Sequence, residues 1–208
     1  NISDFKKIIN WISNNYKIIS PLDIKNLKKK SALITFDDGY AGAFENAVPY
    51  LIKNRIPSLH FLNMKPIINK EPNIVSKIQY LNKNNKIFKK YLNKKKIKNP
   101  IYEINPKKFK NFDKKISLNN NKIIEYQGKL VSTNILKKYS NNDFVFYGNH
   151  LYDHWNMIKL DIKEIKNLYF QNKKYLKKYK NFIDIFSFTH GIPHKNFSKK
   201  NLNQLLSF

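Results

Sequence analysis

Three short apolar runs constrain this chain most. Ala32-Leu33-Ile34-Thr35-Phe36, Phe144-Val145-Phe146-Tyr147 and Ile183-Asp184-Ile185-Phe186-Ser187-Phe188 each read as a buried strand. Each stops at residues able to do chemistry. The first ends at Asp37-Asp38-Gly39, the second at Gly148-Asn149-His150 with His154 close behind, and the third at Thr189-His190-Gly191 with His194 close behind. A further run, Ile56 to Leu62, follows the first after the helical segment Ala43–Arg55, in which Pro49 should make a kink. Strand, helix and strand in so short a span form a unit of a parallel sheet. In parallel α/β architectures the carboxyl ends of the strands face one surface, so residues far apart in sequence meet there.

Adjacent carboxylates repel, and Asp-Asp-Gly is also ordinary turn chemistry. Partners elsewhere in the chain decide between turn and site. His150 and His154 are spaced i, i+4, which on a helical turn puts both imidazoles on one face, about one turn apart. Two His and one Asp make a three-ligand set with coordination left open, as in a catalytic metal site. The donors suit Zn, and also Co, Ni or Fe. One Asp of the pair then serves as ligand and the other as general base toward water.

Other parts of the chain bound its class. With 41% hydrophobic and 14% aromatic residues, the 208-residue chain can bury a real core. There is no cysteine, which removes disulfides, thiolate ligands and a Cys nucleophile. The net charge is +26, but Arg55 is the only arginine, and the excess is lysine amid abundant Asn, Ile, Tyr and Phe. That is the residue set of an AT-rich genome. It carries little of the arginine that nucleic-acid readers use, so no specific nucleic-acid partner is expected. No apolar run is long enough to span a membrane. The amino terminus shows neither an initiator Met nor a signal-peptide core, which leaves the compartment open.

Residues 2–14 have helical spacing, with Ser3 as the expected cap, and Tyr16–Ile19 reads as a short strand. A short helix is expected from Pro21 through Leu27, followed by a solvated lysine run. Residues 65–142 break the strand–helix rhythm. They read as a Lys/Asn-rich insertion with one or two helices, loop-like around Asn99-Pro100 and Lys114–Lys122, shaping one wall of a cleft. Asp161-Ile162-Lys163-Glu164 is a capping box that opens an amphipathic helix to about Tyr179. A last short helix begins near Leu202.

The motif set resembles the polysaccharide deacetylases, the NodB-homology carbohydrate esterases. Thr35-Phe36-Asp37-Asp38-Gly39-Tyr40, continued by Glu45–Leu51 and Ile56–Phe61, is similar to their first motif region. His150-Leu151-Tyr152-Asp153-His154 is similar to their His-x-x-x-His motif, and Phe186-Ser187-Phe188-Thr189-His190-Gly191 to their third. The resemblance implies an α/β fold, a distorted and incomplete (β/α) barrel, seven-stranded in the family. It implies a divalent metal, Zn first, and metal-dependent removal of acetyl groups from an amino-sugar-containing glycan. By residue it implies Asp37 as catalytic base, Asp38, His150 and His154 as metal ligands, and the backbone at His190 and Gly191 as the oxyanion donors.

Three departures stand against it. Leu151 and Asp153 replace small hydroxyl residues of the second motif, which changes the hydrogen bonding around the histidines. Thr189-His190 replaces a Pro-aromatic pair. No Leu-x-His segment, the family's source of a general-acid histidine, follows. The chain is therefore read as one deacetylase-like domain over residues 1–208, truncated at its carboxyl end, or as one in which His190 or His194 substitutes as acid. The alternative is a catalytically impaired relative that binds glycans or other polyanions.

Overall fold

Aromatic and β-branched residues in the apolar runs pair as parallel strands, and the pairing sets everything downstream. The computed structural model describes residues 1–26, 30–113 and 118–208. Its strands are β1 (Lys17–Ile18), β2 (Ser31–Ala32), β3 (Ile34–Phe36), β4 (Ser58–Leu62), β5 (Val145–Asn149) and β6 (Phe182–Phe186). Its α-helices are α1 (Ile2–Asn15), α2 (Val48–Lys53), α3 (Met64–Asn69), α4 (Ile74–Asn84), α5 (Lys86–Lys94), α6 (Pro100–Glu103), α7 (Pro106–Asp113), α8 (Asn120–Gln127), α9 (Thr133–Tyr139), α10 (Ile162–Leu176) and α11 (Lys199–Leu206). None of the described helices is long and apolar enough to cross a membrane.

The sheet β3-β4-β5-β6 is parallel throughout and runs in sequence order. Strands β1 and β2 form a separate parallel pair, and no ladder among the described residues joins the two sheets into a ring. The run expected as one strand over 31–36 is split at Leu33, because its halves pair with different partners, β1 and β4.

Every residue of β4 and β5 is buried, as in a parallel sheet covered on both faces. The two faces differ. Val145 and Tyr147 pack with Phe44, Val48, Met64, Leu136 and Leu176 from the helical layer. Leu59, Phe61 and Phe146 pack with Leu33, Ile183 and Ile185, all from strands or their flanks. Crossovers of constant hand in a sequentially ordered sheet place helices on one side only, and this division of the core is that arrangement. Gly148 is required here: a Cβ at this position would lie 2.6 Å from the Phe61 ring.

Local chemistry sets the helix ends. Asn1, not Ser3, caps α1, accepting the Ser3 N–H at 2.7 Å and the Asp4 N–H at 3.1 Å. The Asp161–Glu164 capping box forms reciprocally, at 2.8 and 2.9 Å, and opens α10. Ala43–Ala47 coils as a π-helical turn, with the Val48 N–H bonded to the Ala43 carbonyl, before α2 begins. Pro49 supplies no N–H for an ordinary helical bond, which accounts for the break there. The helix expected from Pro21 is a 3-10 helix over Pro21–Asn26, and Leu27 lies outside the described residues.

Residues 65–142 hold more helix than the one or two expected. Helices α4 to α9 lie within them, and α8 begins inside the stretch expected as loop, of which residues 114–117 lie outside the described residues. Asn73, Asn85 and Asn119 are N-caps that start helices. Phe88, Leu92, Phe109 and Phe112 then share a core with Leu151, Trp155, Ile165 and Tyr169. This segment is thus packed against the loop after β5.

Two buried polar residues tie the sheet to its surroundings. Asn172 of α10, fully buried, donates to the Leu62 carbonyl at 2.8 Å and to Asn149 Oδ1 at 2.7 Å, and accepts the Met64 N–H at 2.8 Å. Replacing it with leucine leaves the Met64 N–H without its acceptor and takes one of two donors from the Leu62 carbonyl and from Asn149 Oδ1, so Asn172→Leu is expected to cost about 2 kcal/mol in urea unfolding. His60 is fully buried, stacked on Phe36 at 4.8 Å, with Nε2 against Ser58 Oγ at 3.1 Å. Burial pushes it from 6.5 down to about 3. The native state keeps it neutral while the unfolded chain takes up a proton below pH 6.5. Its contribution is therefore complete above pH 6.5 and falls as pH drops toward 3, by about 1.4 kcal/mol per unit. His60→Gln should flatten the dependence of stability on pH across that window by one proton, read from urea midpoints at successive pH values.

Candidate metal centre

Sharp turns end all three site-bearing strands. Among non-glycine residues, Asp38, Leu151 and His190 carry φ of +67°, +62° and +65°, one beyond each of β3, β5 and β6. Such conformations cost energy in L residues and cluster at functional sites. After β3 the Gly39 N–H donates to the Asp37 carbonyl at 2.9 Å, closing a three-residue turn around Asp38. Gly39 follows with φ +76°, and a Cβ there would meet Leu62 at 2.9 Å. The turn leaves Asp37 exposed and draws Asp38 inward.

The parallel register places Phe36 beside His60 and Leu62 beside Asn149, so the ends of β3 and β5 flank β4. Asn63, just past β4, donates to the carbonyls of His150 and Leu151. Asn149 Oδ1 accepts the Leu151 N–H at 3.0 Å. The His150–Asn156 segment is thereby held as a loop. It is not the helical turn expected from the i, i+4 spacing, because the positive φ at Leu151 is incompatible with a helix. The two imidazoles converge all the same, with ring centroids 4.9 Å apart.

Asp38 Oδ1 lies 3.6 Å from His150 Nε2 and 3.2 Å from His154 Nε2. One ligand atom from each of the three residues falls within 4.8 Å of the others. His150 Nδ1 is 2.9 Å from the Ser187 carbonyl, which can only accept, so Nδ1 carries the proton. Nε2 is then a bare lone pair. Burial, and then the neighbouring His154, holds His150 well below its ordinary pKa, so it remains neutral. An imidazole lone pair and a carboxylate oxygen thus face each other with no proton between them. Asp38 Oδ1 and His154 Nδ1 are covered from water and have no hydrogen-bond partner among the described residues. A cation resolves this arrangement. Four-coordinate Zn with ligands near 2.0–2.1 Å has donor atoms about 3.4 Å apart, between the two observed spacings.

Asp37 stands beside this cluster. Partial desolvation, then the Asp38 charge, raises its carboxyl above the ordinary value, while His154 opposes the shift. Desolvation raises Asp38 as well, again opposed by His154. His190 lies edge-on to His154 with centroids 4.5 Å apart, and burial, then His154, pushes it down to about 3. Among the described residues, no acceptor is found for the backbone N–H groups of His190 and Gly191. His194 sits on the exposed 191–195 loop and has no recorded contact with Asp37, Asp38, His150 or His154 among the described residues.

Asp153 has a definite place here. It is buried, accepts the His154 N–H at 3.1 Å and the Trp155 indole N–H at 3.2 Å, and pairs with Lys65 at 2.6 Å. The motif singles out Asp153 as a departure but carries no sign of Lys65 or of the Ser187 carbonyl. No pattern in the chain announces a backbone carbonyl that acts across two strands. Thr189 donates to the Trp155 carbonyl at 2.6 Å and so joins the loops after β5 and β6.

Comparison with known proteins bears on the fold and, over residues 24–84, on the family resemblance. The family model described as polysaccharide deacetylase matches residues 24–84. No curated protein matches. Among solved structures, IcaB from Ammonifex degensii is similar with a TM-score of 0.60 at 15% identity, covering 100% of this chain and 72% of its own. A de-N-acetylase from Aggregatibacter actinomycetemcomitans gives 0.58 at 13% identity, covering 99% and 74%. The Streptococcus pyogenes deacetylase PplD, solved in complex with acetate, gives 0.55 at 11%, and the chain covers 63% of its length. The resemblance to the polysaccharide deacetylase family is thus carried by sequence over residues 24–84 and by an α/β fold shared along the whole chain.

Proposed function

We propose that this chain is a metal-dependent hydrolase that removes acetyl groups from an amino-sugar-containing glycan. The observation that carries the reading is the convergence of Asp38 Oδ1 and His150 Nε2, two groups without a proton to share, beside His154 Nε2. In this reading Asp38, His150 and His154 hold a divalent ion. Zn is the first choice for two imidazoles and one carboxylate, with Co, Ni or Fe as other candidates. When bound, such an ion supplies Lewis acidity to the acyl oxygen and acidifies water in the site. The sequentially ordered parallel sheet, with helices on one side, supports reading it as an arc of an incomplete (β/α) barrel.

The remaining roles fall to the chain's own groups. Asp37, exposed beside the cluster, takes a proton from the attacking water. The N–H groups of His190 and Gly191 lack acceptors of their own and donate to the oxygen that becomes negative as the carbonyl carbon turns tetrahedral. Asp37 returns the proton to the nitrogen as the C–N bond breaks, so acetic acid and a free amine leave with protons balanced, and the acid then gives its proton to solvent or to the amine. This assigns the acid step to Asp37 and leaves His194, on its exposed loop, outside the chemistry.

The experiment is acetate release from N-acetylglucosamine oligomers, with metal content measured on the same samples. Asp37→Asn should lower kcat by about 10²–10⁴-fold and leave metal content unchanged. Asp38→Ala and His154→Ala should lose both, and a chelator should stop the wild-type protein. Full turnover in Asp37→Asn, or activity indifferent to chelator, would contradict the assignment.

A further inference from the structure

A groove of about 490 Å³ opens beside the centre, between α6, the 3-10 turn Met157–Lys159 and the loop at 192–196. Its connection to the centre runs through one ring. Tyr102 of α6 lines the groove and stands edge-on to His190 at 5.1 Å, and His190 is itself edge-on to His154. The walls are tied in place. Asn156 donates to the Tyr102 carbonyl at 2.8 Å, the Ile158 N–H donates to the Asn196 carbonyl at 3.0 Å, and the Ile192 N–H donates to Asn196 Oδ1 at 3.2 Å. The groove therefore exists before any ligand arrives.

Its lining is amphipathic. Tyr102, Ile158 and Ile192 are 39%, 38% and 46% exposed, an apolar surface suited to the C–H face of a pyranose ring. The buried Asn196 amide nitrogen has no acceptor among the described residues. Lys159 and Lys195 are exposed on the rim, and neither has an ion-pair partner among the described residues. The one acidic side chain in the lining, Glu103, is occupied: it accepts the N–H groups of Lys98 and Asn99 at 3.1 and 2.7 Å. The groove thus offers an apolar platform and a rim with two lysines against one carboxylate, a net positive charge, one side chain away from the centre.

We infer that this groove is a subsite for a negatively charged sugar residue of the same glycan chain whose acetyl group meets the metal centre. The inference rests on the deacetylase reading for its placement, but the binding it predicts is measured separately from turnover. Helix α6 belongs to the 65–142 segment, so that segment would set substrate choice rather than chemistry.

The test is calorimetric titration, at about 0.15 M salt, with two probes. One is a tetrasaccharide alternating N-acetylglucosamine and glucuronate; the other is the neutral N-acetylglucosamine tetramer. Lys159→Glu combined with Lys195→Glu should weaken the charged probe about tenfold and leave the neutral one within about twofold. Tyr102→Ala should weaken both. Lys86→Glu with Lys89→Glu, on α5 and outside the groove lining, carries the same charge change and should leave both unaffected. If this control pair weakens the charged probe as much as the groove pair, or if the groove pair changes nothing, the subsite is overturned. Acetate release measured alongside bears on the deacetylase reading alone, since its absence would contradict that reading whatever the groove binds.

Discussion

The site depends on one backbone carbonyl. Ser187, just past β6, accepts from His150 Nδ1 and so decides which nitrogen of that ring is bare. The bare nitrogen faces Asp38 across 3.6 Å. Without Ser187 the ring is free to protonate at Nε2 and satisfy Asp38 directly, and the pair becomes an ordinary hydrogen bond. With it, two acceptors are held together, an unfavourable contact that a bound cation would relieve. The structural energy that maintains this comes from elsewhere: the buried Asn63, Asn149 and Asn172 amides lock the ends of β4 and β5 and the start of α3 to one another.

That dependence explains why the left-handed residues sit where they do. Asp38, Leu151 and His190 each turn the chain sharply beyond a strand, so that side chains or N–H groups from β3, β5 and β6 point to a common place. Strain at these points is affordable because β4 and β5 are buried along their whole length and both faces of the sheet are filled. The same packing reaches the 65–142 segment, whose aromatic residues share a core with Leu151 and Trp155. A change in the helices there would be felt first by the loop that carries His150 and His154.

The overall positive charge plays a minor part in this arrangement. Most lysines are solvated and distributed over the surface, and the lysines that matter have a neighbour to define them. Lys65 pairs with Asp153 behind His154, while Lys159 and Lys195 border a groove whose one carboxylate is already occupied. Charge acquires meaning from burial and from what else is within reach, not from a net total.

The sequence by itself determined the parallel α/β character, the residues that end each strand and the candidate ligand set. These depend on local pattern: apolar runs of strand length, a capping box, and polar residues placed at the strand ends. Several local readings failed for one shared reason. The His150–His154 spacing reads as a helical turn, yet the loop is bent by Leu151 because Asn63 and Asn149 bind its backbone from other strands. The stretches around Asn99-Pro100 and Lys114–Lys122 read as loop, yet α6 opens at Pro100 and α8 at Asn120, short helices whose apolar residues are held by tertiary packing. Tertiary structure alone decided the tautomer of His150, the Lys65–Asp153 support and the exposed place of His194. Each depends on a partner distant in sequence, and spacing along a chain carries no record of such a partner.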